Sequence, residues 1–259
     1  MKAATTSKVC AYCGNSGPLT REHQWPKGII DRAGVKFSYF GKHEKYINTE
    51  LVIKDVCTTC NNGPLSSLDT YACTLFDAHF SRQAVQREPR IFLYEYSRLL
   101  RWLLKTSFNV ARANDSDGPA LAPFASYMLT GGESPKNVHV RLELIYPSKN
   151  PNWTPGSSVT KTIPAKTIRC ARILMQDGPM PEATLRLIAL HSYYFWIAIT
   201  PPGSDPTELH ASLPGKPLLS NKDNISVIPK RSMLDVHEEW LSNPRANESI
   251  RKLRARRDA

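Results

Sequence analysis

Four of the six cysteines form two Cys-x-x-Cys pairs, which are Cys10 with Cys13 in "CAYC" and Cys57 with Cys60 in "CTTC". Tetrahedral zinc takes four soft thiolates, and each Cys-x-x-Cys turn presents two of them. The two pairs therefore predict one structural Zn²⁺ site with four thiolate ligands, in preference to a redox dithiol. The other two cysteines, Cys73 and Cys170, are expected to be small core residues.

An acid and a histidine stand side by side between the two cysteine pairs, as Glu22 and His23 in "LTREHQWPK". A carboxylate suits Mg²⁺ or Mn²⁺, ions that also bind phosphate groups. A histidine, with an ordinary pKa of about 6.5, can take a proton from water at neutral pH. A cation and a base are what phosphodiester hydrolysis requires. The pair therefore favours a hydrolytic enzyme over a zinc-containing module that only binds nucleic acid.

The string "CAYC…LTREHQWPKG…VCTTCNNG" resembles the HNH endonucleases, whose ββα-metal domain is flanked here by zinc-binding cysteine pairs. The match covers residues 8 to 72. By this resemblance, His23 is the general base, and Glu22 and Asn61 are ligands of a catalytic Mg²⁺ or Mn²⁺. The family also has an asparagine that orients the histidine. Either Asn48 has that role after a short insertion, or backbone carbonyls orient His23 instead.

The formal net charge of +11 predicts a polyanionic partner, because an excess of positive charge attracts polyanions and speeds their encounter. Nucleic acid is the expected partner, double-stranded DNA first, with RNA left open because the chemistry acts on a phosphodiester. Arg21 and Lys27 flank the Glu-His pair and are the candidates for phosphate contact, although each can be only a surface charge. Asp69, on the helix after the second cysteine pair, is expected to be a solvated acid, and the alternative is that it reaches the site.

The remaining expectations concern location and assembly. The sequence has no apolar run of the roughly 20 residues that a bilayer crossing needs, and its start lacks the apolar segment of a secretory signal. We therefore expect a cytoplasmic protein without a membrane partner. Dimerisation with a second copy stays open.

The pattern of apolar residues predicts an α+β fold in two parts. Residues 1–80 form the zinc-stapled, HNH-like module, and residues 81–259 form a helix followed by a mostly antiparallel β-containing region of unknown role. Residues 89–113 have helical periodicity, with Arg98, Arg101 and Lys105 on the wetter face. Alternation in "VHVRLELIY" predicts a strand, and "TIRCARILMQ" and "TLRLIALHSYYFWIAIT" predict further strands. The last of these is too long for one strand unless it bends or turns.

Overall fold

The computed structural model describes residues 9–34, 38–40, 45–47, 51–114, 117–150, 161–166, 168–174 and 179–242. Helices and mostly antiparallel strands alternate along these ranges, which confirms the α+β class. Among the helices of these ranges, none combines the length and the apolar composition that crossing a bilayer requires.

Helices occur along the whole described part of the chain, from residue 27 to residue 242. Their bounds are α1 Lys27–Ala33, α2 Thr58–Cys60, α3 Ser66–Leu75, α4 Tyr96–Ala113, α5 Gly118–Leu121, α6 Ala125–Thr130, α7 Thr207–Ser212 and α8 Met233–Ser242. Two π-helical turns, Asn61–Leu65 and Phe76–Phe80, precede and follow α3, and a 3₁₀ turn, Ala122–Phe124, links α5 to α6.

The strands form one larger sheet and several pairs. The bounds of the first half are β1 Leu19–His23, β2 Ser38–Phe40, β3 Lys45–Ile47, β4 Val52–Cys57, β5 Arg90–Leu93, β6 Val138–Tyr146 and β7 Ser148–Asn150. Those of the second half are β8 Lys161–Ile163, β9 Ile168–Ile173, β10 Thr184–Leu190, β11 Tyr193–Ile199, β12 Lys216–Pro217, β13 Asn224–Val227 and β14 Arg231–Ser232.

The larger sheet has the order β12-β6-β11-β10-β9, with β14 beside β6 in parallel. The strands predicted in "VHVRLELIY" and "TIRCARILMQ" are confirmed as β6 and β9. The long apolar segment turns at His191 and Ser192, so that β10 and β11 form a hairpin. His191 adopts a left-handed backbone conformation (φ 52°), and its Nδ1 donates to the carbonyl oxygen of Phe80 at 2.8 Å. The turn is therefore anchored to the segment after α3.

The prediction of one helix over residues 89–113 is wrong at its beginning. Residues 90–93 are strand β5, which pairs with β13, and α4 begins only at Tyr96. Phe92 is buried while Ile91 and Leu93 are exposed, which is the two-residue alternation of a strand. Residues 90–93 form a strand because they pair with β13, about 130 residues further along the chain. The periodicity of residues 89–113 contains no information about this distant partner.

One hydrophobic core continues across residue 80, where the sequence predicts a boundary between two regions. The cluster includes Cys10 of the first cysteine pair, Leu68 of α3, Trp102 of α4 and Phe195 of β11. Helix α4 is buried on every side along most of its second half, since it packs on both α3 and the larger sheet. The module that carries the cysteines therefore shares its core with the rest of the described chain.

Candidate functional site

The four cysteines of the two Cys-x-x-Cys pairs converge on one point. Their sulfur atoms all lie within 4.8 Å of one another, and the Sγ atoms of Cys13 and Cys57 are 3.8 Å apart. Four thiolates at about 2.3 Å from a tetrahedral Zn²⁺ would be separated by about 3.8 Å from one another. The spacing fits a zinc ion held by Cys10, Cys13, Cys57 and Cys60.

The backbone around this cluster suits a thiolate at Cys10. The N–H of Cys57 donates to Cys10 Sγ at 3.3 Å. Burial opposes ionisation of Cys10, yet the backbone N–H groups of Cys13, Cys57 and Tyr12 lower its pKa to about 7. Burial raises the pKa of Cys60. A bound metal ion would offset this cost, because it favours the thiolate.

Strands β1 and β4 form the antiparallel pair that positions the Glu-His pair. Leu19 at the start of β1 lies opposite Cys57, and His23 at its end lies opposite Val52. The register shifts between Thr20 and Glu22, where β4 has one more residue than β1. Glu22 is buried, and His23 is half-buried. Because β4 runs directly into α2, the same pair also fixes the second cysteine turn.

Asn61 follows Cys60 and is bound to β1. Its side-chain Nδ2 donates to Thr20 Oγ1 at 2.9 Å and to the carbonyl oxygen of Arg21 at 3.0 Å. A carbonyl oxygen only accepts, so the nitrogen of the amide must face β1. The Asn61 Oδ1 atom is then the part of the amide that can bind another group.

Glu22 is paired with a buried lysine that lies outside the motif. The Nζ atom of Lys105, on α4, is 2.7 Å from Glu22 Oε1 and 2.6 Å from Asp69 Oδ2. The Lys105 side chain is only 1% exposed, so the prediction that it lies on the wetter face of its helix is wrong. Burial disfavours its charge, but Asp69 and Glu22 outweigh burial and raise the pKa of Lys105. The ammonium is therefore a fixed charge of the site.

Asp69 belongs to this charge cluster and is not the solvated acid that the sequence indicates. Its Oδ2 atom binds Lys105, and its Oδ1 atom is buried without a hydrogen-bond partner in the part of the chain that the structure describes. Burial raises the pKa of Asp69, and Lys105 opposes that effect. One ammonium thus faces two carboxylates, which leaves the cluster with one net negative charge when all three are ionised.

Asn109, one turn after Lys105 on α4, connects the Glu-His pair to the cysteine site. Its Nδ2 donates to Glu22 Oε1 and to the carbonyl oxygen of His23, both at 3.0 Å. Its Oδ1 accepts from the hydroxyl of Tyr12, at 2.7 Å, and from Arg112 Nη2, at 3.1 Å. Tyr12 lies between the first two cysteines. A buried polar network therefore joins α4, β1 and the first Cys-x-x-Cys turn.

The other predicted residues lie at or outside the edge of this cluster. Arg21 is exposed on β1, and Lys27 is exposed at the start of α1, 2.8 Å from Asp31. Asn48 lies outside the described residues. The motif gave no indication of Lys105, Asn109 or Tyr12. The available signal was the placement of a lysine and an asparagine within a mostly apolar stretch of the predicted helix.

Two further findings bear on the site. Within the described ranges, the four cysteines form the one group of three or more His, Cys, Asp or Glu residues close enough to share an ion. Comparisons of the chain with protein-family models, curated proteins and solved structures found no match. The likeness to HNH endonucleases therefore stays an inference from the motif residues.

Proposed function

We propose that this protein is a metal-dependent endonuclease that hydrolyses the phosphodiester bonds of DNA. The observation that carries the proposal is the attachment of Asn61 to β1 through Thr20 and Arg21. The β1–β4 pair and the helix that follows it thereby bring the Asn61 amide, whose oxygen can bind a metal, to the strand that ends in Glu22 and His23. Acid, base and amide are the side chains that an HNH-type centre uses.

The catalytic cation would be Mg²⁺ or Mn²⁺, held by Glu22 Oε2 and Asn61 Oδ1. Both are hard oxygen donors, which these ions prefer, and such ions also bind substrate phosphates and keep several waters. When bound, the ion supplies positive charge to the phosphate and its leaving oxygen. The zinc would be structural, because four thiolates leave no open position on the metal.

His23 would remove a proton from the attacking water. It stands at the end of β1 and is half-buried, and its backbone is held by pairing with Val52 and by Asn109. Arg21 and Lys27 would contact phosphates on the surface beside it. The Lys27 pair with Asp31 is exposed and is therefore weak enough to exchange for phosphate. The net charge of +11 supports a nucleic-acid partner.

The test is cleavage of supercoiled plasmid DNA by the zinc-loaded protein with Mg²⁺ or Mn²⁺. We expect nicking and linearisation by the intact protein and a loss of at least about 100-fold in His23→Ala, the usual size of a general-base contribution. His210→Ala is the matched control, since this half-buried histidine of α7 contacts His139 of β6. Equal cleavage by intact protein and His23→Ala would refute the proposal, and so would no cleavage by either.

A non-catalytic zinc protein that binds nucleic acid is the second candidate. It is favoured by the Lys105 ammonium, which already supplies Glu22 with a cation. On this alternative, neither the intact protein nor His23→Ala cuts DNA or RNA, and both bind DNA with an affinity that falls steeply with salt.

A further inference from the structure

Asn109 uses its whole hydrogen-bonding capacity inside the protein. Its two N–H groups donate to Glu22 Oε1 and the His23 carbonyl, and its oxygen accepts from Tyr12 and Arg112. The residue is 1% exposed. Because the His23 carbonyl only accepts, the amide has one orientation, and a flip would oppose donors to donors at Tyr12 and Arg112. Each buried group left unpaired costs about 1–3 kcal/mol, so the arrangement is locked.

The position of the Asn109 amide determines which carboxylate oxygen of Glu22 is bound within the protein. Lys105 and Asn109 both bind Oε1, at 2.7 Å and 3.0 Å. Both contacts engage Oε1, so we assign Oε2 as the oxygen that would bind a cation. Two residues of one helix, spaced one turn apart, thus set the rotation of the carboxylate.

The same amide restrains the histidine through its backbone. Nδ2 of Asn109 holds the carbonyl oxygen of His23 at the point where β1 ends. Tyr12 fixes the other side of the amide, and it stands between two of the cysteines that fit zinc. Arg112, which also binds the amide, is paired with Asp55 of β4 at 2.8 Å. These contacts hold Glu22 and the backbone of His23 in fixed positions relative to the cysteine site and to strands β1 and β4.

We propose that Asn109 is a positioning residue of the hydrolytic centre, which fixes the Glu22 carboxylate and the His23 backbone together, and that Tyr12 ties this constraint to the zinc-binding turn. The inference rests on the proposed function and deepens it. Asn109 touches neither DNA nor a cation, because it is buried and its bonds are filled. Its loss should therefore lower kcat and leave the KM for DNA unchanged.

Two variants test the proposal, each with a matched control. Asn109→Ala removes the amide, and Tyr12→Phe removes one hydrogen bond while keeping the ring. Asn137→Ala and Tyr94→Phe are the controls, since Asn137 donates to Thr200 O and the hydroxyl of Tyr94 donates to Leu219 O. Zinc content and unfolding midpoint are measured for every protein, so that a loss of fold is recognised.

In plasmid nicking, we expect kcat to fall about 100-fold in Asn109→Ala, the usual result of displacing a catalytic group by about 1 Å. We expect a fall of about fivefold in Tyr12→Phe, about 1 kcal/mol in activation free energy, since one hydrogen bond to a constraint that is otherwise intact is lost. KM should stay within about twofold, and both controls should match the intact protein. If Asn109→Ala does not fold, Tyr12→Phe decides alone. A kcat equal to that of the controls in every folded test variant overturns the proposal.

A second readout separates this proposal from the proposed function. The imidazole resonances of His23, assigned by their absence in His23→Ala, are recorded by NMR in all variants. We expect them to shift in Asn109→Ala and Tyr12→Phe and to stay constant in both controls. If the intact protein cuts no DNA, the endonuclease proposal fails while these shifts still report the restraint on His23. Unchanged His23 resonances in both test variants overturn the positioning role.

Discussion

Replacing Lys105 with methionine would remove a positive charge that faces both Glu22 and Asp69. The lysine nitrogen lies 2.7 Å from one carboxylate and 2.6 Å from the other, and the Glu22 side chain is only 5% exposed. Methionine retains an unbranched apolar stem of similar length, so packing changes little. The loss of charge should therefore dominate the effect of the substitution.

The magnitude follows from the cost of an uncompensated buried charge. Removing one partner of a buried ion pair destabilises a protein by about 3–5 kcal/mol. We expect a value in this range for Lys105→Met, which is a large fraction of the roughly 5–15 kcal/mol by which a domain is stable. Adding Glu22→Gln should recover part of the loss, because the neutral amide can still accept the Asn109 hydrogen bond.

The assay is equilibrium unfolding in urea, followed by tryptophan fluorescence on the zinc-loaded protein. The matched control is Lys136→Met, since Lys136 is 90% exposed and its pair with Glu133 spans 3.4 Å. An exposed pair of this kind contributes less than about 1 kcal/mol. A Lys105→Met protein within about 1 kcal/mol of the intact protein would refute this reasoning. So would a double variant no more stable than Lys105→Met.

Three other outcomes are expected. Metal analysis should find one zinc per chain in the intact protein and in Cys73→Ala, and none in Cys57→Ala; retention of zinc by the last would exclude the four-thiolate site. Burial lowers the pKa of His191, so below about pH 6.5 the unfolded chain binds more protons and stability falls as pH falls. The decrease in melting temperature between pH 7 and 5.5 should be smaller in His191→Asn, which keeps a residue suited to the left-handed turn; an equal decrease would contradict the assignment. Arg21→Ala should weaken DNA binding and reduce the slope of log K against log salt concentration by about one, which corresponds to one lost phosphate contact. Lys222→Ala should change neither the affinity nor the slope. An unaltered slope in Arg21→Ala would show that Arg21 does not contact DNA.

Local sequence was enough wherever the structure depends on neighbours along the chain. The two Cys-x-x-Cys turns predicted the cluster whose sulfur atoms lie within 4.8 Å of one another, because each turn forms within four residues and one Zn²⁺ takes the thiolates of two such turns. Alternation likewise predicted β6, since residues on one face of this strand are buried and His139 and Arg141 on the other face are only half-buried. In the long apolar segment, the need for a turn was visible, and the structure places it at His191 and Ser192.

Only the tertiary structure decided which residues surround Glu22 and His23. Lys105 and Asn109 are more than 80 positions away in the sequence, and a helical lysine beside an apolar stripe is normally solvated. Its burial here depends on α4 packing between α3 and the sheet, which brings Asp69 and Glu22 to its ammonium. Strand β5 was missed for the same reason, because its partner β13 lies far along the chain. Sequence spacing thus determined the cysteine cluster and drew attention to the adjacent Glu22 and His23. Packing between distant elements determined the partners of Glu22 and His23, because a buried polar or charged group is stable only where the fold brings it a partner.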